Sequence, residues 1–187
     1  IALSNFDHPA AHRDFDWDLR NGRRIVETYA PLLPPEKQAV VERFLTHFAG
    51  EVEPALNGLR STVIHGDGND YNVLVDLEGG ALRASGVIDY GDMIHSWLVG
   101  EPAVAAAYAM LNKVDPLAAA ASVVHGFHQA FPLTEREIEV VYALIRLRLC
   151  MSMAMAARQI AAAPDNAYLG LSQEPVWALL QQLDEIP

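Results

Sequence analysis

The chain has little positive charge for its size. Its 187 residues contain 13 lysines and arginines against 24 aspartates and glutamates, which gives a formal net charge of −11 at pH 7. An acidic protein is repelled by the phosphate backbone of nucleic acids and by anionic membranes, so we expect neither of them as a partner. A small cationic molecule is the partner that this charge favours.

Cysteine and long apolar runs are equally scarce. Cys150 is the only cysteine, so no disulfide can form within the chain and a reducing compartment is expected. The sequence has no uninterrupted apolar stretch of the roughly 18 to 20 residues that a membrane span needs, and its first residues lack a signal-peptide pattern. We therefore expect a cytoplasmic protein. Because the chain begins with Ile1 and not with methionine, we also expect it to be part of a longer product.

Enough apolar residues are present for a folded core, since 51% of the residues are hydrophobic and 20% are charged. The length fits a single domain, residues 1–187. Helical periodicity on both sides of a short β-rich centre predicts an α+β fold that is mostly α. The predicted parts are a helical entry (1–60), a loop with a β-hairpin (61–92) and a helical subdomain (93–187).

Helix start and stop signals divide the two helical parts. In the entry, one helix is predicted to end before Pro34 and a second to run from Pro35 to Gly50. In the subdomain, four helices are predicted at roughly 98–112, 116–130, 134–162 and 173–184. Their start signals are Asp115, Ser172 and a capping box of Thr134 with Glu137.

Residues 61–92 have the pattern of short strands. A β-branched strand is predicted at 62–64, and a β-hairpin at 73–77 and 82–88 around a glycine-containing turn. Antiparallel pairing about this turn places Asn72 opposite Asp89 at the open end of the hairpin. Opposed residues have Cβ atoms about 4.5 to 5.5 Å apart on one face of the sheet.

Three polar residues of this segment form the candidate reaction centre. An amide and a carboxylate that converge at the mouth of a hairpin suit Mg²⁺, which takes few protein oxygens and binds substrate phosphates as well. Asn72 and Asp89 are therefore predicted to hold Mg²⁺. Asp67, in the preceding loop, can orient a hydroxyl group and accept its proton. A base with two metal ligands is the set used in kinase-type phosphoryl transfer, so ATP is the expected donor.

The order of these residues resembles a known family. The run His65-Gly66-Asp67, with Asn72 five residues later, is followed by Ile88-Asp89-Tyr90-Gly91-Asp92. It resembles the catalytic loop and metal-binding segment of the aminoglycoside phosphotransferase family, relatives of protein kinases that phosphorylate small hydroxyl compounds. The resemblance implies that Asp67 is the catalytic base and that Asn72 and Asp89 hold Mg²⁺ on ATP. Trp17-Asp18-Leu19-Arg20 and the helical tail extend the likeness over most of the chain.

Within that family, the sequence of residues 65–72 and 87–99 most resembles the hydroxylysine-kinase-like branch. Family members have an amino-terminal lobe whose glycine-rich turn and lysine contact the ATP phosphates. The two lysines here, Lys37 and Lys113, lie outside any such strand, and the glycines form no nucleotide-binding fingerprint. The chain therefore resembles the carboxy-terminal lobe of a protein-kinase-like fold. The amino-terminal lobe is an expected partner, without which the chain is expected to be inactive.

Several other polar residues allow two interpretations. His65 is a catalytic candidate, although a histidine here more often braces a loop through hydrogen bonds. Asp92 and Glu101 either face a cationic substrate or cap the helix that begins near residue 98. Arg146 and Arg148 either approach a phosphate or an acidic substrate group, or, as we favour, pair with carboxylates of the chain.

Three functions follow from these residues. The favoured one is ATP- and Mg²⁺-dependent phosphorylation of a small, amine-bearing hydroxyl compound. A second is a non-catalytic pseudo-kinase or binding module with the same fold. A metal-dependent hydrolase that uses His65, Asp67 and Asp89 is the weakest of the three, because it explains neither Asn72 nor the hairpin.

Overall fold

The structure, a computed structural model, describes residue 3, residues 5–163 and residues 173–186 of the chain. Within these residues, helices are combined with two small antiparallel sheets, one of which, a hairpin, is largely exposed. This architecture agrees with the predicted α+β class, mostly α. The helix start predicted at Ser172 and the first residue, Ile1, lie outside the described residues.

The described residues of the helical entry contain two α-helices, α1 (Gly22–Tyr29) and α2 (Pro35–His47). As predicted, the first helical segment ends before Pro34 and the second begins with Pro35. Proline has no N–H group, but this costs nothing at the first position of a helix, where the N–H has no partner within the helix. The helical path continues past Gly50, because this glycine does not adopt the left-handed conformation that commonly ends a helix. Shorter helical turns complete the entry: Pro9–Ala11, Leu19–Asn21, Ala30–Leu32, Phe48–Val52 and Glu53–Leu56.

The two sheets have two strands each. Strand β1 (Ser61–Ile64) pairs with β4 (Ile94–Trp97), and β2 (Val73–Glu78) pairs with β3 (Ala81–Val87) to form the predicted hairpin. The sequence analysis predicts β1 but not its partner β4. Strand β4 has only four residues and ends two residues before a helix begins, so its alternation of apolar and polar residues is too short to identify a strand.

The register of the hairpin differs by one residue from the prediction at its open end. Val73 faces Val87 and Leu74 faces Gly86, and the backbone N–H of Ile88 donates to the carbonyl of Asn72 at 2.9 Å. Asn72 therefore lies opposite Ile88, and the prediction that it lies opposite Asp89 is wrong. The register also shifts after Leu74, where Ser85 forms a β-bulge that a count from the turn cannot detect.

Among the residues that the structure describes, four α-helices follow the hairpin and form most of the core. The predicted helix at Asp115 and the capping box of Thr134 with Glu137 are both present. The longest helix passes through the centre of the core, where Leu144, Leu147 and Met151 are fully buried. The helices are α3 (Gly100–Ala109), α4 (Pro116–Ala130), α5 (Glu135–Ala162) and α6 (Gln173–Asp184).

Helix α5 is long and apolar enough to cross a membrane by length and composition alone, and it is the one such helix among the described residues. The sequence analysis finds no uninterrupted apolar run here because Arg146 and Arg148 divide it. In the structure, 72% of its most apolar window is buried against the rest of the chain. The central helix of a folded core has the same composition, so the apolar side chains of α5 are explained by packing.

A buried carboxylate ties the start of α5 to the strand region. Glu137 is 0% exposed and accepts two hydrogen bonds from the Arg60 guanidinium, at 3.0 and 2.5 Å. It also accepts the backbone N–H of Thr134, which completes the capping box. Burial acts to raise the pKa of Glu137, but the hydrogen bonds from Arg60 and Thr134 outweigh it and hold the pKa below its usual value.

Replacing Glu137 with glutamine tests this anchor and its pH dependence. A carboxylate with a lowered pKa in the folded state stabilises the fold above its unfolded-state pKa, about 4.3, and this stabilisation is lost as the pH falls through the folded-state value. We expect E137Q to lower the free energy of unfolding at pH 7 by about 1–3 kcal/mol. The difference from the wild type should shrink as the pH falls below about 4.3, because Glu137 is protonated first in the unfolded state and, at lower pH, in the folded state as well.

Urea unfolding from pH 7 to pH 3 measures this difference. The matched control is E139Q, because Glu139 is an exposed residue of the same helix. The control should unfold with the wild type at every pH. A loss in E137Q that is the same at pH 7 and at pH 3 would contradict the role of the Glu137 charge.

Candidate active site

Residues 65–72 form a loop between β1 and β2, and α3 holds its first turn. The Glu101 carboxylate accepts the backbone N–H groups of His65 and Gly66 through one oxygen, at 2.7 and 3.1 Å. Gly66 has a φ of +76°, a conformation that glycine adopts without strain. These contacts fix the direction in which the loop leaves β1.

His65 is buried and braces the loop with both ring nitrogens. Its Nδ1 lies 3.3 Å from the backbone N–H of Asp67, and its Nε2 lies 2.9 Å from the carbonyl oxygen of Ile88. Since Nδ1 accepts a hydrogen bond, Nε2 carries the proton and donates it to Ile88. The histidine thus connects the loop to the end of the hairpin. The structure assigns it a bracing geometry, which is the interpretation that the sequence favours.

The Asp67 carboxylate is the centre of a network of side chains. Its Oδ2 accepts the side-chain amides of Asn69 and Asn72, at 3.0 and 2.8 Å. Asn72 also donates to the Asp67 carbonyl oxygen at 3.0 Å and is itself buried. The Asp67 side chain remains 23% exposed, so the carboxylate is held from one side and open on the other.

Arg148 contacts the same carboxylate from the core. Its guanidinium lies 3.3 Å from Oδ1 of Asp67, 3.1 Å from the Trp17 carbonyl oxygen and 3.2 Å from the Tyr108 hydroxyl. The sequence analysis favours a carboxylate partner for Arg148, and this is confirmed. It does not identify the partner as Asp67, because no local pattern relates residues that are 81 positions apart.

The Trp17-Asp18-Leu19-Arg20 run also packs beneath the site. Asp18 is buried, caps the short turn that begins at Leu19, and accepts the hydroxyl of Ser96 on β4 at 2.5 Å. Asp18 also pairs with Arg20 at 2.9 Å. The run therefore links the helical entry to the β1–β4 sheet.

The predicted metal ligands are not a cross-strand pair, although both lie at the open end of the hairpin: Asn72 directly precedes β2, and Asp89 follows β3 by two residues. Asp89 lies directly after Ile88, has a left-handed backbone (φ +59°) and is exposed. Its Oδ1 accepts only the N–H of Gly91 at 3.3 Å, and within the described part of the chain Oδ1 of Asn72 has no hydrogen-bond partner. An amide oxygen and an exposed carboxylate are hard oxygen donors, so these residues fit Mg²⁺ chemically.

Asp92 lies within electrostatic range of Asp67 and Asp89, the two carboxylates predicted for the reaction centre. Burial raises the pKa of the Asp92 carboxyl, and the negative charges of Asp67 and Asp89 act in the same direction. The positive charges of Arg148 and Arg13 oppose them. Three acidic groups therefore share one region, where a cation is favoured electrostatically.

Glu101 and Asp92, which the sequence analysis considers together as substrate ligands or helix caps, have different positions in the structure. Glu101 uses one oxygen to anchor the loop, a role that the sequence analysis missed. Asp92 lies in the turn Tyr90–Asp92, within electrostatic range of Asp67. Helix α3 has no side-chain N-cap hydrogen bond, so neither residue caps it in that way. Glu101 does lie in the first turn of α3, where a carboxylate suits the helix dipole.

Two cavities adjoin the loop. One, of about 530 Å³, begins at Gly68 and extends along the end of α3 to Tyr108 and Lys113, with Asp70 also in its wall. The other, of about 280 Å³, lies beside His65 and is lined mainly by apolar side chains, including Phe127. The first has an acidic and a basic side chain in its wall, Asp70 and Lys113, and it reaches Gly68, which follows Asp67 in the sequence. It is the better candidate for a polar substrate.

Comparison with known proteins identifies the family of the chain. The sequence profile of the phosphotransferase enzyme family (APH) matches residues 2–137. The chain belongs to this family. The family suggested by the His-Gly-Asp run and the following Ile-Asp segment is therefore confirmed.

Curated relatives point to the same branch. A hydroxylysine kinase of Mus musculus is 33% identical over 192 residues, which cover 97% of this chain and 51% of that protein. Hydroxylysine kinases of Xenopus laevis and Bos taurus are 31% and 30% identical, over 100% and 97% of this chain and 53% and 51% of those proteins. The predicted branch is confirmed. The chain spans about half the length of the curated relatives that it matches.

Proposed function

We propose that this chain carries the catalytic base and the acceptor pocket of an ATP-dependent kinase that phosphorylates a small hydroxyl compound. The observation that carries the proposal is the Asp67 carboxylate, which is held by Asn69, Asn72 and Arg148 yet open on one side. A rigidly oriented carboxylate can align a hydroxyl nucleophile and accept its proton.

The hydrogen bonds of Asp67 indicate which oxygen would receive the substrate. An ionised carboxylate offers about four lone-pair positions. Oδ2 already accepts two amide N–H groups, whereas Oδ1 accepts one hydrogen bond, from Arg148. The remaining lone pair on Oδ1 is thus the position for the acceptor hydroxyl, and Oδ1 is the atom that would take its proton.

Asn72 and Asp89 are the residues that would hold Mg²⁺. When bound with ATP, the ion supplies neutralisation of the phosphate charge in phosphoryl transfer. Asn72 has two roles in this proposal: its amide nitrogen orients Asp67, and its amide oxygen is a metal ligand. One side chain thereby sets the base relative to the phosphates.

The acceptor is proposed to be a hydroxy amino acid such as hydroxylysine. The relatives named hydroxylysine kinase support this class. The larger cavity has an acidic residue, Asp70, and a basic residue, Lys113, in its wall, which suits a molecule with both an ammonium and a carboxylate group. The net charge of −11 favours an additional amine.

The alternatives receive less support. A hydrolase that uses His65 as a metal ligand would need a free ring nitrogen, but both nitrogens contact backbone groups. Among the described residues, no three His, Cys, Asp or Glu side chains form a metal cluster. A non-catalytic binding module with this fold would bind Mg²⁺ with ATP and give no turnover, so kinetics on the full-length protein distinguish it from a kinase.

Replacing Asp67 with asparagine in the full-length protein tests the base. Asparagine keeps the shape of the side chain but accepts no proton, and general-base assistance contributes about 10²–10⁴ in rate. We expect kcat to fall about a hundredfold or more while the Kd for Mg²⁺-ATP changes little. A coupled kinase assay with hydroxylysine and nucleotide titration calorimetry measure the two quantities.

The matched control for this variant is D76N. Asp76 is an exposed residue of β2, and its replacement changes the net charge by the same amount. The control should keep the wild-type kcat. A D67N enzyme with nearly normal turnover would remove Asp67 from the role of base.

Single and double alanine variants of Asn72 and Asp89 test the metal site. If both residues hold one Mg²⁺, each variant should weaken nucleotide binding in the presence of Mg²⁺ and hardly in its absence. The two losses should be non-additive, as expected for residues that share a ligand. Calorimetry with and without Mg²⁺, with D76A as control, decides this. Additive losses that do not depend on the metal would mean that the residues share no site.

The isolated 187-residue chain is expected to have little or no phosphotransferase activity. The sequence contains no glycine-rich turn and no strand lysine to align a triphosphate. Joining it to the amino-terminal half of its parent protein should restore activity. Assays of both proteins at equal concentration test this, and robust phosphorylation by residues 1–187 alone would contradict it.

A further inference from the structure

Arg148 is a charged residue in the apolar interior. It lies in the middle of α5, between Leu147 and Leu149, and is 2% exposed. A buried guanidinium is tolerated only where its charge is paired and its N–H groups have acceptors. Its neighbour Arg146 also faces the protein, but pairs with Asp184 on α6, away from the loop.

The partners of Arg148 come from three separate parts of the chain. They are the Asp67 carboxylate in the loop, the Trp17 carbonyl oxygen before α1 and the Tyr108 hydroxyl on α3. The guanidinium also lies 4.5 Å from the centre of the Trp17 ring and 5.5 Å from that of Tyr108. These contacts hold the planar group in one orientation, and among the described residues Asp67 is its only carboxylate partner.

The contact with Arg148 limits rotation of the Asp67 carboxylate, which the hydrogen bonds from Asn69 and Asn72 leave possible. Asn69 and Asn72 both donate to Oδ2 of Asp67, and a carboxylate held through one oxygen can still rotate about its Cβ–Cγ bond. Arg148 contacts Oδ1, the other oxygen. Contacts at both oxygens fix the plane of the carboxylate and the direction of the remaining lone pair on Oδ1.

We propose that Arg148 is a positioning residue for the base. It fixes the plane of the Asp67 carboxylate so that the free lone pair of Oδ1 is presented to the acceptor hydroxyl. The inference rests on the proposed function of Asp67. It adds a residue that lies outside the catalytic motif and acts through the base, without touching the substrate.

Kinetics of the full-length protein provide the first test. In R148M the carboxylate plane is released, and we expect kcat to fall about 10- to 100-fold, the scale of a misplaced catalytic group. The KM for hydroxylysine and the Kd for Mg²⁺-ATP should change less than about threefold, because Arg148 contacts neither ligand. R148K keeps the charge and should recover part of kcat, since a single ammonium cannot replace all the contacts of the guanidinium.

The matched control is R146M. Arg146 is on the same helix, is 12% exposed, and pairs with Asp184 and stacks over Phe44, so its loss removes a comparable buried charge without contact to the loop. R146M should keep kcat within about twofold of the wild type. A wild-type kcat in R148M, or equal losses in R146M and R148M, would overturn the positioning role.

A spectroscopic test does not depend on turnover. The side-chain NH₂ signals of Asn69 and Asn72 in ¹⁵N correlation spectra, assigned with N69A and N72A, report their hydrogen bonds to Oδ2 of Asp67. Both signals should shift in R148M and stay in place in R146M. Unchanged signals in R148M would overturn the inference.

The two tests separate this inference from the proposed function. If the wild-type protein phosphorylates no hydroxy amino acid, the proposed acceptor class fails, and the NH₂ signals still decide whether Arg148 orients Asp67. If circular dichroism shows that R148M is unfolded, R148K takes its place in both measurements. A folded R148K with wild-type kcat and unshifted NH₂ signals would then overturn the inference.

Discussion

The hydrogen bonds from the His65 and Gly66 backbone to Glu101 set the geometry on which the rest of the site depends. Residues 65–72 have no ladder of their own, and an irregular segment keeps one conformation only if its buried polar groups have fixed partners. Because Glu101 is in the first turn of α3, the loop takes its position from a helix that is packed in the core. A charged acceptor also makes these bonds stronger than neutral ones.

Three elements of regular structure contact the loop that carries Asp67. Helix α3 holds the beginning of the loop, α5 contributes Arg148, and the end of β3 receives His65 through Ile88. A catalytic group on a loop can be as well ordered as one on a helix when such neighbours fix its rotamer. The site thus combines the exposure of a loop with the order of the core.

Local sequence patterns predicted many of the secondary-structure elements of this protein. The capping box at Thr134 and the glycine turn of the hairpin depend on neighbours a few residues apart, and the structure contains both. Other features left no signal in the sequence: strand β4 is too short to show a pattern, and the bulge at Ser85 cannot be detected by counting from the turn of the hairpin. The contact of Arg148 with Asp67 likewise arises only when α5 packs behind the loop.

The far end of the hairpin is free of the constraints that hold its open end. The turn at Gly79 and Gly80 is exposed, and no atom lies within 4 Å of where a Cβ would be at either glycine. The bond between Ile88 and Asn72 sets the register near the site, on the other side of the bulge. Residues can therefore be inserted at this turn without moving Asp89, which makes it a natural position for a peptide tag or a fused reporter domain.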